Sequence, residues 1–308
     1  MQAKWKYGLA TLFTGYYAIS YYAFKRMTRG KRKTPEMLLA PYTTEDQSFY
    51  HDVPFEHVSL QSRDGYRLYG RVYRNGEAKK WIVFVHGYTA SHSFMAPHLA
   101  MFHRLGYNLL AVDLRSHGES EGVYASYGYH EKHDIVDWVD WLRTHETVDE
   151  VGLHGVSMGA ATILQAGPLT DVDFLIAECP FDDMRQLMRH QLNNLHRLPG
   201  DLLLPGINYF LWSRAGFLMH QVSPKRSLAE TSAPVLFVHG TRDDFVPTWM
   251  SIEMNALNRR NELALIHDAE HTNCILKDRD AYEAAVTNFL ARRRESGQQS
   301  DPVTHARP

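Results

Sequence analysis

A serine, a carboxylate and a histidine each follow an apolar run in this chain. Ser157 stands in Gly155-Val156-Ser157-Met158-Gly159, directly after "EVGLH". "VLFVHGTRDDFVP" offers Asp243 and Asp244, and "LALIHDAEHTN" offers His267 and His271. A serine hydroxyl is a weak nucleophile that needs a base, and the base needs an orienting carboxylate. A Gly-x-Ser-x-Gly turn between strand and helix exposes the hydroxyl, with acid and histidine following in that order. Asp243 is the preferred acid, three residues past Gly240 and three before Val246. His271 is preferred over His267, because His267 ends its strand while His271 lies in the loop beyond. Two backbone amides are expected to hold an oxyanion. That of Met158 opens the helix after the serine, where the helix dipole assists. That of Tyr88 lies in "HGYTAS", where His86 and Gly87 shape the turn. The chemistry these residues suit is acyl transfer through Ser157.

Such side chains must be gathered by the strands they follow. Alternating residues on either side of Asp64-Gly65 read as a hairpin. Short apolar runs at 81–87, 108–115, 150–155, 173–179, 233–240 and 263–267 read as strands buried on both faces. Helical patterns fall at 92–105, 129–145, 158–167 and 280–294. The repetition predicts a doubly wound, mostly parallel α/β sheet with reactive groups at the strands' carboxyl ends. Residues 181–232 are too long for a simple crossover, and their bulky stretch at 185–222 is read as a helical lid.

"VFVHGYTAS", "AVDLRSHGES", "GVSMG", "HGTRDDFVP" and "AEHTN" resemble, in order and spacing, the α/β-hydrolase superfamily. Within it the chain looks most like bacterial serine hydrolases of the S33-type aminopeptidase and acyl or cinnamoyl esterase kind, including membrane-anchored members. The resemblance spans roughly residues 55–292. It implies an eight-stranded sheet, a variable lid and a triad of Ser157, Asp243 and His271, with Tyr88 and Met158 lining the oxyanion hole. A serine at the elbow argues against dehalogenase and epoxide-hydrolase chemistry, which use an aspartate there.

The chain has 308 residues, 44% hydrophobic and 22% charged, ordinary for a globular protein, and a net charge of −2. That balance hides a segregation. Residues 1–33 carry eight basic side chains and no acid, leaving 25 basic against 35 acidic groups elsewhere. An acidic body of this kind does not suit nucleic acid. Between Lys6 and Lys25 lie 18 uncharged residues, roughly 27 Å of helix at ~1.5 Å per residue. With the basic neck after them, residues 1–33 are read as an uncleaved transmembrane anchor holding the remainder in the cytoplasm, with an amphipathic helix lying on the membrane as the alternative. Residues 34–54 read as a polar connector, 55–184 and 223–294 as the hydrolase core, and 295–308 as a disordered tail.

Asp113, Arg115 and His117 in "DLRSHGES" are read as architecture, and Cys179 and Cys274 as buried thiols. The histidines show no metal-ligand spacing. No metal or diffusible cofactor is expected, and oligomeric state is open. The expected function is hydrolysis of a carboxylic ester with a small or medium acyl group. An amidase or peptidase, an acyltransferase on the same triad, and a non-catalytic membrane-bound binding protein are the alternatives.

Overall fold

The computed structural model describes residues 2–299, with side chains from 13 to 295. Eight strands form one sheet: β1 (Glu56–Gln61), β2 (Arg67–Tyr73), β3 (Lys80–Val85), β4 (Asn108–Val112), β5 (Glu150–Val156), β6 (Phe174–Glu178), β7 (Val235–Gly240) and β8 (Glu262–Ile266). Their spatial order is β1-β2-β4-β3-β5-β6-β7-β8. β1 pairs antiparallel with β2, and β2 antiparallel with β4. From β4 to β8 every pairing is parallel. This is the α/β-hydrolase fold.

The central strands are apolar throughout because both faces are covered. Along β3, Trp81, Val83 and Val85 enter one core while Ile82 and Phe84 enter the other. The helices, in chain order, are α1 (Gln2–Thr28), α2 (Pro35–Leu39), α3 (Thr44–Asp52), α4 (Ala96–Arg104), α5 (Glu131–His145), α6 (Met158–Ala166), α7 (Met184–His190), α8 (Gly200–Phe210), α9 (Pro224–Leu228), α10 (Trp249–Asn255), α11 (Cys274–Lys277) and α12 (Arg279–Gln299). α5 and α6 bury their apolar stripes in the first core, α4 and α12 in the second. Strand order reverses at β3, which has β4 on one side and β5 on the other. Beyond the carboxyl ends of β3 and β5 the flanking turns diverge, and a crevice opens there.

The N-terminal segment departs from expectation. Among the described residues no helix is long and apolar enough to cross a membrane. The expected transmembrane anchor is therefore overturned, and the cytoplasmic placement that rested on it goes with it. The five tyrosines among the 18 uncharged residues lower the hydropathy, and the second half of α1 packs on protein instead. Ser20, Phe24 and Thr28 are buried. α1 lies against α8 of the segment between β6 and β7. Gly206 permits this approach, since a Cβ there would meet Ser20 Oγ at 2.3 Å. Phe210 packs among Tyr17, Tyr21 and Phe24.

Residues 34–54 contain α2 and α3, which bury Leu38, Leu39 and Tyr50. Side chains of Thr34 and Thr43 cap the two helices by accepting from the N–H groups of Met37 and Asp46. At the other end, α12 continues through Gln299. The last residues of the expected tail, 300–308, lie outside the described residues.

Candidate active site

β5 ends at Val156 and α6 begins at Met158, leaving Ser157 alone in the turn. Its backbone takes φ 55° and ψ −116°, a strained conformation for a residue with a Cβ. Close packing holds it there. A Cβ on Gly155 would lie 2.5 Å from the Gly159 carbonyl oxygen, and one on Gly159 would lie 2.1 Å from that of Val85. The Ser157 N–H donates to the Glu178 carbonyl at 2.8 Å, tying the turn to β6. Thr89, Ser157 and Thr272 line one cavity and all have positive φ. Strain of this kind gathers where function requires fixed geometry.

Ser157 Oγ lies 2.8 Å from His271 Nε2, and His271 Nδ1 lies 2.7 Å from Asp243 Oδ2. An ionised Asp243 only accepts, so Nδ1 carries the ring proton and Nε2 is free to accept from the hydroxyl. Asp243 follows β7 directly, in a turn where its Oδ1 accepts from the N–H groups of Phe245 (3.0 Å) and Val246 (2.8 Å). Burial opposes ionisation of Asp243, yet hydrogen bonds from His239 and His271 hold its carboxyl well below the usual range. Burial likewise disfavours the His271 imidazolium, but the Asp243 hydrogen bond and charge outweigh it and raise the imidazole above its ordinary value.

The alternative residues lie elsewhere. His267 is 90% exposed beside Asp268, and Asp244 is exposed, its carbonyl 2.8 Å from His190 Nε2. Tyr88 and Met158, whose amides are the expected oxyanion donors, both line the cavity that Ser157 and His271 face. His86 keeps the Tyr88 turn in place. Burial drives its imidazole down to about 3, so it is neutral. Its Nδ1 donates to the Gly87 carbonyl at 2.7 Å, and its Nε2 accepts from the Leu114 N–H at 3.0 Å. The "DLRSHGES" turn is built the same way. Asp113 accepts from the N–H groups of His92 and Glu119, and Arg115 is buried in a fork on Asp134.

Three contributions escape a linear reading. His239 Nε2 stands 3.1 Å from Asp243 Oδ2 and 3.0 Å from the Val246 carbonyl, so it donates toward both. Its Nδ1 lies 2.7 Å from Ser251 Oγ. Glu178, fully buried at the end of β6, accepts from the Cys274 N–H at 3.3 Å and the Tyr282 hydroxyl at 3.1 Å, with His98 Nε2 at 3.0 Å. It thereby braces both the Ser157 turn and the helix after His271. A glutamate closing an otherwise apolar strand, "FLIAE", was the available signal. The third is the stretch of chain carrying Lys33 and Leu38, which lines the cavity.

His98, His154 and Glu178 also bring possible ligand atoms together, as do Glu178 with the two cysteines and Cys179 with His239 and Asp243. In each, hydrogen bonds to neighbouring groups occupy atoms a metal would need: His154 Nε2 meets the Tyr282 hydroxyl at 2.8 Å, for example.

The cavity measures ≈ 380 Å³ and is walled chiefly by apolar side chains, among them Phe94, Tyr127, Phe181, Leu187 and Phe245. Leu187 and Gln191 come from the β6–β7 insertion. Its distal aromatics Tyr209, Phe210 and Trp212 pack with one another or with α1 instead, and Phe217 stacks on Tyr129.

The family model for X-Pro dipeptidyl-peptidase (S15 family) matches residues 28–204, more than half of the chain. The chain belongs to the S15 family. The S33-type resemblance drawn from the motifs is corrected accordingly; elbow and turn motifs alone do not separate such branches. The match includes Ser157 and stops before Asp243 and His271. The chain is also 32% identical over 273 residues to the uncharacterized protein YqkD of Bacillus subtilis, covering 84% of this chain and 88% of that one. Among solved structures it is similar to the Pyrococcus furiosus esterase Pf2001, with a TM-score of 0.69 and 24% identity over 86% of this chain and 98% of that one. Est1E of Butyrivibrio proteoclasticus, solved with ferulic acid, superposes with a TM-score of 0.57 and 17% identity, covering 77% and 99% of the two chains. Family and fold make this S15 member a serine hydrolase.

Proposed function

We propose that this hydrolase cleaves carboxylic esters through an acyl-enzyme on Ser157. His271 Nε2 removes the Ser157 proton as Oγ attacks the carbonyl, and the amides of Tyr88 and Met158 stabilise the oxyanion. The imidazolium, held by Asp243, then protonates the leaving alcohol. Water, deprotonated by the same Nε2, attacks the acyl-enzyme, and the proton returns to Ser157 as the acid departs. The insertion acts as a lid, reaching the cavity through Leu187 and Gln191.

The observation that carries the ester reading is the wall of the cavity. A substrate of an X-Pro dipeptidyl-peptidase presents a protonated α-amine, which calls for a carboxylate in the site. Among the described residues lining this cavity there is no aspartate or glutamate, while apolar side chains predominate. Burying an ammonium there without a partner is costly, whereas an acyl chain loses nothing polar. The test is a panel of p-nitrophenyl esters of graded length run beside X-Pro anilides. Higher kcat/KM on the esters supports the reading. Efficient cleavage of X-Pro anilides with negligible esterase activity would overturn it in favour of peptidase action.

A further inference from the structure

The residues after α1 form a strap across the turn that carries Tyr88. The Tyr88 hydroxyl donates to the Arg26 carbonyl at 2.7 Å, and the Lys33 N–H donates to the Thr89 carbonyl at 3.3 Å. Arg32 donates to the carbonyls of Gly118 at 2.7 Å and Ser120 at 3.0 Å. Arg29 donates to the Tyr124 hydroxyl at 3.1 Å and lies 4.5 Å from that ring's centre. Thr34 then caps α2, and this turn brings buried Leu38 to the cavity wall.

Arg29 and Arg32 have their charges directed at fixed partners. Lys33 does not. Its backbone is anchored, its side chain is exposed, and its ammonium has no hydrogen-bond or ion-pair partner among the described residues. It lines the cavity that contains Ser157, where no carboxylate among the described lining residues neutralises it. A lysine offers a mobile point charge on a four-carbon stem, able to follow a group at the end of a bound chain.

We propose that the strap is a substrate-binding wall, and that Lys33 selects esters whose acyl chain ends in an anionic group such as a carboxylate. Leu38 and the aromatic wall take the methylenes of such a chain, and Lys33 meets its far end. This rests on the ester-hydrolase reading of the same cavity.

The test compares mono-p-nitrophenyl glutarate with p-nitrophenyl pentanoate, which have five acyl carbons each, in full-length wild type, Lys33→Met and Lys33→Glu. The readout is the ratio of kcat/KM for the anionic to the neutral ester. Lys33→Met is expected to lower that ratio ~fivefold, the size of an ion pair on a partly exposed wall, mainly through KM. Lys33→Glu should lower it further, and added salt should lower the wild-type ratio. Inactivation by a neutral and a carboxylate-bearing fluorophosphonate reads the same ratio without turnover. Equal ratios in wild type and Lys33→Met, by either route, overturn the role of Lys33 and leave the hydrolase intact. Failure of every ester and every probe to react overturns the reading beneath it.

Discussion

His239 and His271 meet the same oxygen of Asp243: Oδ2 lies 2.7 Å from His271 Nδ1 and 3.1 Å from His239 Nε2. The carboxylate thus divides its acceptor capacity between the imidazole that faces Ser157 and one buried behind it. How strongly Asp243 holds His271 depends on how much of its charge His239 takes up.

Replacing His239 by Phe removes that second donor at similar volume. Asp243 then becomes a stronger partner for His271, and the inflection in kcat/KM against pH is expected to move to higher pH. Ser251 Oγ and the Val246 carbonyl lose a buried partner, at a cost of about 1–3 kcal/mol in denaturant unfolding. His239→Gln, which retains an N–H donor, should return the inflection toward wild type. An unmoved inflection in a folded His239→Phe protein would show that His239 only packs.

Asp243→Asn keeps the shape and removes the charge. It is expected to lower kcat/KM by a factor on the order of 10⁴ on a p-nitrophenyl ester, because the amide cannot stabilise an imidazolium. In wild type the rate should rise with pH as His271 loses its proton, with an inflection above that of a free imidazole, since its value is raised. Stability follows the same two groups with opposite signs. The depressed Asp243 contributes fully above about pH 4 and loses its contribution as pH falls. The raised His271 contributes fully below about pH 6.5 and loses its contribution as pH rises through its folded value. The stability gap between wild type and Asp243→Asn should therefore be widest between about pH 4 and 6.5 in urea titrations. A gap that stays flat from pH 3 to 9 contradicts the coupling.

The seat of α1 on α8 gives a prediction about the N-terminal helix. Phe24 is 1% exposed, packed near Phe210 and Tyr124. Phe24→Ala should cost about 3 kcal/mol in folding free energy. Gly206→Ala, whose methyl must displace Ser20, should cost about 1–3 kcal/mol. Losses below about 0.5 kcal/mol in both would mean that the helix contributes little to the folded domain.

These sites differ in how readily sequence exposes them. Ser157 was legible because an elbow is local: strand, two glycines and helix are contiguous, and the apolar runs of β3 and β5 follow from burial on both faces. Asp243 stands apart from Asp244 by its place between Gly240 and Val246, and His271 from His267 by lying in the loop beyond the strand; the structure brings both to Ser157. His239 was not legible. On a strand buried on both faces, a histidine one residue before a glycine looks like part of the turn. Only the fold shows that it faces Asp243. The N-terminal stretch misled for a related reason: an uncharged helix can be buried by lipid or by another helix, and composition alone favours neither. The close approach permitted at Gly206, far away in sequence, shows that here a helix does the burying. The strap was invisible because a polar, basic run becomes a cavity wall only when Thr89 and Gly118 are brought beside it.

Stoichiometric labelling by a fluorophosphonate tests the central claim most directly. Intact-mass and peptide analysis should find one adduct per chain, on Ser157, forming faster as His271 deprotonates and absent in Ser157→Ala. A folded wild-type protein that takes no label, or one whose adduct persists in Ser157→Ala, would contradict the account.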